Sequence, residues 1–121
     1  MSTGSTAAAG SETHEKLLNE AKQYLEFEEG AQVNKNKQDG NSRPDGYVII
    51  GDDTLHLEAE HSTLTKPEKV LTNMERAQRE DRECIFIVEE DRVDRLNDIL
   101  EDVDETRYRI LASTDLGVVE Q

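Results

Sequence analysis

Glu58 and Glu60 stand two residues apart in Leu55-His56-Leu57-Glu58-Ala59-Glu60, where apolar and polar residues alternate. In an extended strand successive side chains leave opposite faces, so both glutamates project together while Leu55, Leu57 and Ala59 enter the core. Just upstream, Tyr47-Val48-Ile49-Ile50 is a β-branched run and Gly51-Asp52-Asp53 a turn signal, so the two segments read as a hairpin. Closure through a two-residue turn at Asp52-Asp53 puts Gly51 opposite Thr54, Tyr47 opposite Glu58 and Asp45 opposite Glu60. Three carboxylates then converge. Like charges within about 6 to 8 Å raise one another's pKa unless a cation sits among them, and an all-oxygen set suits Mg²⁺ or Mn²⁺. The competing reading leaves Glu58 and Glu60 on the solvated face of a half-exposed strand, natural in a chain with 28 acidic residues among 121.

Other reactive groups are sparse. His56 shares the carboxylate face one step along the strand, whereas His61 follows Glu60 directly and so points to the opposite face, a structural position. His14 lies apart on the first helical segment. Cys84 opens an apolar run and reads as a small hydrophobe, with no neighbouring His or Asn pattern to make it a nucleophile. One cysteine forms no internal disulfide, and with three scattered histidines it does not suit a zinc site. Lys35, Lys37, Arg43 and Arg76 are candidates for phosphate contact, set against ordinary surface solvation.

The elements that must position these residues follow from periodicity. Ser11 is an N-cap candidate, and Leu17, Leu18, Ala21, Tyr24 and Leu25 form one face of a helix ending near Gly30. Residues 31–37 read as a weak edge strand, closed by the turn-rich Gln38-Asp39-Gly40-Asn41-Ser42. After the hairpin, Thr65-Lys66-Pro67-Glu68 has the form of a capping box. It starts a second helix with Val70, Leu71, Met74 and Ala77 on its apolar stripe and Lys66, Lys69, Asn73 and Arg76 on other faces. Residues 84–88 are apolar throughout, as in a central strand covered on both faces. Asp91 can cap a third helix with Val93, Leu96, Ile99 and Leu100 inward, and residues 108–112 read as a last strand. The expected order is α-β-β-β-α-β-α-β in a single domain over residues 11–113, between a flexible tail over 1–10 and a C-terminal tail over 114–121.

A chain of 121 residues supports one core. It contains no apolar run long enough to span a membrane and no secretory leader, so the expected setting is the reducing cytoplasm. The formal net charge is −14, a composition typical of proteins that stay soluble in concentrated salt and one that disfavours nonspecific nucleic-acid binding in dilute buffer. The charge is segregated: residues 80–105 carry twelve acids and three bases, while residues 31–46 and 61–79, on either side of the carboxylate segment, are net positive.

Arg43-Pro44-Asp45-Gly46, an apolar strand, a short turn and Leu57-Glu58-Ala59-Glu60, followed by a helix and a buried strand, resembles the PD-(D/E)xK or restriction-endonuclease-like nuclease superfamily across most of residues 12–90. The resemblance implies an α/β fold (α+β in its mixed sheet) with an αβββαβ core, here carrying a C-terminal αβ extension. Asp45 matches the motif Asp and Glu58 the motif acid. Glu60 occupies the position of the family lysine; some members carry Glu there, and others supply the lysine from the following helix, where Lys66 and Lys69 lie. The implied activity is Mg²⁺- or Mn²⁺-dependent hydrolysis of DNA phosphodiester bonds, with Asp45 and Glu58 holding the ion and Glu60 as a further ligand or the base orienting water. Lys66 or Lys69 would stabilise the pentacovalent phosphate, and a first-helix glutamate, Glu15 or Glu20, often completes such sites. A looser similarity is to nuclease-like domains of plasmids and other mobile elements. The same substitution equally fits an inactive module that keeps the fold and binds nucleic acid or a larger DNA-processing protein. An acidic domain that takes a basic protein through residues 80–105 is the third class. Expected partners are thus DNA, such a protein, or a second copy in a homodimer, and no membrane.

Overall fold

Asp53–Ala59 is a central strand of one mixed sheet in the computed structural model, which describes residues 5–36, 43–103 and 107–121. Six strands follow chain order across the sheet: β1 (Gln32–Lys35), β2 (Gly46–Ile50), β3 (Asp53–Ala59), β4 (Cys84–Glu89), β5 (Tyr108–Thr114) and β6 (Gly117–Glu120). β1, β2 and β3 form an antiparallel meander, β3, β4 and β5 are parallel, and β6 returns antiparallel to β5. Parallel neighbours need a crossover, supplied by α2 (Pro67–Arg79) between β3 and β4 and by α3 (Val93–Leu100) between β4 and β5. Two crossovers of one hand stepping in one direction fall on the same face, and α1 (Ser5–Glu29) covers the other. Among the described residues no helix is long and apolar enough to cross a membrane.

The sheet therefore separates two cores. On the α1 side Leu17, Leu18, Ala21 and Leu25 pack on Leu55, Leu57, Ala59, Ile85 and Ile87. On the other, Val70, Met74 and Ala77 of α2 and Leu96 and Leu100 of α3 pack on Cys84, Phe86 and Val88. This corrects the half-exposed reading of β3: every residue from Leu55 to Glu60 is buried, because the crossover helices close the face carrying His56, Glu58 and Glu60.

The element order agrees with expectation apart from one added strand, and several local expectations shift. α1 spans Ser5–Glu29, so Ser11 lies inside it, and it takes in Ala7-Ala8-Ala9, the strongest helix formers, expected to belong to the tail. It ends as expected: Gly30 takes a left-handed φ of 65°, and Ala31 N–H reaches back to Leu25 O at 3.1 Å. The β2–β3 turn is Gly51-Asp52, with Gly51 at φ 60°, so Tyr47 faces His56 and Val48 faces Leu55. The register is thus two residues from that expected; the faces are kept and the partners change. The capping box does not form, since Thr65 ends a 3-10 turn over Ser62–Thr65 and Lys66 is the N-cap of α2 without a side-chain cap bond. Asp91 lies within a 3-10 turn, Glu90–Arg92, ahead of α3. The C-terminal residues expected as a tail pair as β6. Lys37 and the expected turn at 38–42 lie outside the described residues.

Candidate carboxylate site

The β2–β3 ladder begins at Gly46, which faces Leu57, so Asp45 stands just before it, level with Glu58. Asp45 N–H points to Glu58 Oε1 at 3.4 Å, and the Asp45 carboxylate accepts the Ala59 N–H through Oδ2 at 2.9 Å. Asp45 thereby supplies a side-chain acceptor to β3 just before the β2 ladder begins. Next to it, Gly46 lets β2 pass close to β1: a Cβ there would lie 3.0 Å from Asn34 O. From the opposite layer, His14 Nε2 of α1 comes to 3.0 Å from the same Asp45 Oδ2.

Glu58 and Glu60 meet α2 instead. Asn73 and Arg76 are three residues apart on one face of that helix. Arg76 Nη1 lies 3.2 Å from Glu58 Oε2 and 3.3 Å from Asn73 Oδ1, and Asn73 Nδ2 donates to Glu60 Oε2 at 2.9 Å. A polar chain thus runs from His14 through Asp45, Glu58, Arg76 and Asn73 to Glu60, between the two cores. Glu58 is 2% and Glu60 0% exposed.

Burial pushes the Glu58 carboxyl well above its ordinary range; the charges of Asp45 and Glu60 push it further, and Arg76 opposes them. His14 is raised, chiefly by its hydrogen bond to Asp45, with burial working the other way. Among the described residues no three His, Cys, Asp or Glu side chains are arranged to hold a metal ion. The all-oxygen pair Asp45 and Glu58 nevertheless fits the habit of Mg²⁺, which takes one or two carboxylates and completes its shell with water and phosphate oxygens. Glu60 is turned to Asn73.

The remaining expected site residues are dispersed. Lys66 and Lys69 are exposed at the start of α2, and Arg76 is the cation in contact with Glu58. Arg76, expected on the surface as a phosphate contact, is buried, so it belongs to the carboxylate chain. Lys35 is held by Glu15 at 2.9 Å and Asn19 at 2.7 Å, and Arg43 is exposed. Neither first-helix glutamate reaches Asp45: Glu15 pairs with Lys35, and Glu20 accepts the Ser113 hydroxyl. From α1 it is His14 that comes within 3.0 Å of Asp45 among the contacts described.

His56 is fully buried, its Nε2 3.1 Å from Glu80 and its ring edge-on to Tyr47, and burial lowers its pKa. His61 Nδ1 lies 2.7 Å from Glu89, in keeping with a structural position. Cys84 is buried and its thiol pushed well up by that burial, consistent with an inert core residue. Asn73 was not singled out from sequence. The available signal was that Asn73 and Arg76 each directly precede a buried residue of the α2 stripe, Met74 and Ala77. Comparison of the chain with protein-family models, with curated proteins and with solved structures found no match.

Proposed function

We propose that this protein is a metal-dependent phosphodiester hydrolase acting on DNA, built on a restriction-endonuclease-like variant of the three-layer α/β/α arrangement. The observation that carries the reading is the burial of Glu58 and Glu60 at the end of β3, with the half-buried Asp45 hydrogen-bonded beside them. A fold needing only stability gains nothing by enclosing two carboxylates beside a third, because well-packed apolar residues there are as stable or more so. Perturbed carboxyl groups at the carboxyl ends of parallel strands are where α/β folds place their sites. Strands in chain order with β2 antiparallel to its neighbours, and Asp45 beside Glu58, agree with the resemblance drawn from sequence.

Asp45 and Glu58 would hold Mg²⁺ or Mn²⁺, which when bound activates water and stabilises charge on the phosphoryl oxygens. His14 fixes the Asp45 carboxylate, Arg76 orients Glu58, and Asn73 holds Glu60 in place. Lys66 and Lys69, exposed at the start of α2, and the exposed Arg43 would contact phosphate. A buried free Cys84 suits a reducing cytoplasm. A second reading, an inactive module of the same fold that binds nucleic acid or a DNA-processing protein, is favoured by one observation: Arg76 already sits against Glu58, and Glu60 fills the place of the family lysine.

Plasmid nicking in molar KCl with Mg²⁺ or Mn²⁺ decides between them. Cleavage by the wild type, lost in Glu58→Ala with the fold retained by circular dichroism, supports the hydrolase. Absence of cleavage on DNA and RNA substrates with either ion removes the enzyme reading.

A further inference from the structure

Among the described residues three large apolar side chains are exposed, Phe27, Leu116 and Val119, on the last turn of α1 and on the β5–β6 hairpin. Phe27 is 86% and Leu116 98% exposed, although the chain has only two phenylalanines and buries the other, Phe86, completely. Phe27 and Leu116 line one open groove of about 870 Å³. Exposed apolar groups gathered at one place mark interaction surfaces more often than singly scattered ones do.

Beside this groove lies the open edge of the sheet. Gln121 N–H donates to Ile110 O at 2.9 Å and Ala112 pairs with Val119, so in the alternation of an antiparallel ladder the peptide groups of Val118 and Glu120 face away from β5. β6 is the end strand, and nothing among the described residues pairs with its outer side. The opposite edge is treated differently: Glu26 accepts Val33 N–H and Lys22 donates to Val33 O, so side chains of α1 cover β1.

The charge of the groove selects its occupant. Glu20, Glu26 and Glu28 line it, and no Lys or Arg does. Lys22 offsets Glu26 and Ser113 donates to Glu20, yet the lining remains acidic. A second copy would bring the same glutamates and a further net charge of −14.

We infer that this groove docks an extended basic segment of another protein. The segment lies along β6 as an added strand, with alternate apolar side chains on Phe27 and Leu116 and its Lys or Arg side chains toward the glutamates. His14 and Phe27 are about 20 Å apart along α1 by its rise per residue, so the surface is separate from the carboxylate site and does not rest on the nuclease reading.

The test uses the full-length protein and a fluorescein-labelled twelve-residue peptide of alternating Lys and Val. Saturable binding by anisotropy is expected, with amide shifts at Val118 and Glu120, and no binding of the peptide with Glu in place of Lys. The double variant Phe27→Ser/Leu116→Ser should weaken binding by about tenfold or more at unchanged melting temperature, because both side chains are exposed. Equal binding of the Glu peptide, undiminished affinity in the double variant, or no saturable binding overturns the proposal. So does a wild-type dimer in sedimentation equilibrium that the double variant dissociates, since that outcome assigns the groove to a second copy.

Discussion

Arg76 Nη1 lies 3.2 Å from Glu58 Oε2 with both side chains buried, so the cation at the carboxylate cluster comes from the later part of α2 and not from the lysines of its first turn. Arg76→Met leaves Glu58 without its counter-charge. Breaking a buried pair in this way costs about 3–5 kcal/mol where the remaining group stays ionised. The loss, measured by urea unfolding, should grow as pH rises and shrink as pH falls and Glu58 takes up a proton. Arg76→Met/Glu58→Gln should be less destabilised at pH 8 than the single variant. Equal loss at all pH values would mean that Arg76 acts through packing alone.

Glu58 itself gives stability a defined pH dependence. Its folded pKa is raised well above 4.5, so over the interval between the unfolded and folded values the native state holds a proton that the unfolded chain has released. Its contribution is full below about pH 4.5 and is lost as pH rises through the folded value. Glu58→Gln should flatten this part of the profile, gaining on the wild type as pH increases. A profile identical in the two proteins would place the titration elsewhere.

Divalent ions should act in the opposite sense. A cation bound to Asp45 and Glu58 competes with the Glu58 proton, so millimolar Mg²⁺ or Mn²⁺ at fixed ionic strength should raise the melting temperature more at pH 8 than at pH 5. Asp45→Asn should respond less. Equal shifts in wild type and variant would indicate screening without a site.

His14 offers an independent check on the Asp45 end, read in EDTA. Its folded pKa is raised above 6.5, so its stabilisation is fully present below that value and is lost as pH climbs through the folded one. His14→Gln should be destabilised relative to wild type at pH 6, and the difference should narrow by pH 9. A constant difference across that range would show that the imidazolium contributes nothing.

Gly46 couples the backbone to the site. A Cβ there would meet Asn34 O at 3.0 Å, a main-chain atom that moves only if β1 moves. Gly46→Ala should cost about 1–3 kcal/mol, and should also blunt the divalent response because Asp45 shifts with the strand. A variant as stable and as responsive as wild type would mean that β1 yields freely.

How far each feature was legible depends on the range of the interaction behind it. Local rules were enough for the hairpin, the apolar run of β4 over residues 84–88, the end of α1 at Gly30 and the inward stripes of α2 and α3, since alternation, helical period and the freedom of glycine at positive φ act within a few residues. They were also enough to bring Asp45 and Glu58 to one place, because a register slip of two residues preserves the face of every side chain. The environment of those carboxylates was not legible. Alternation in β3 reads the same whether its polar face meets water or a helix, and only the crossover through α2 buries Glu58 and Glu60 and turns Arg76 from a surface cation into their neighbour. His14 reaches Asp45 across 31 residues of chain, a consequence of packing that no local pattern encodes, whereas β6 pairs with β5 through the tight turn between Thr114 and Gly117.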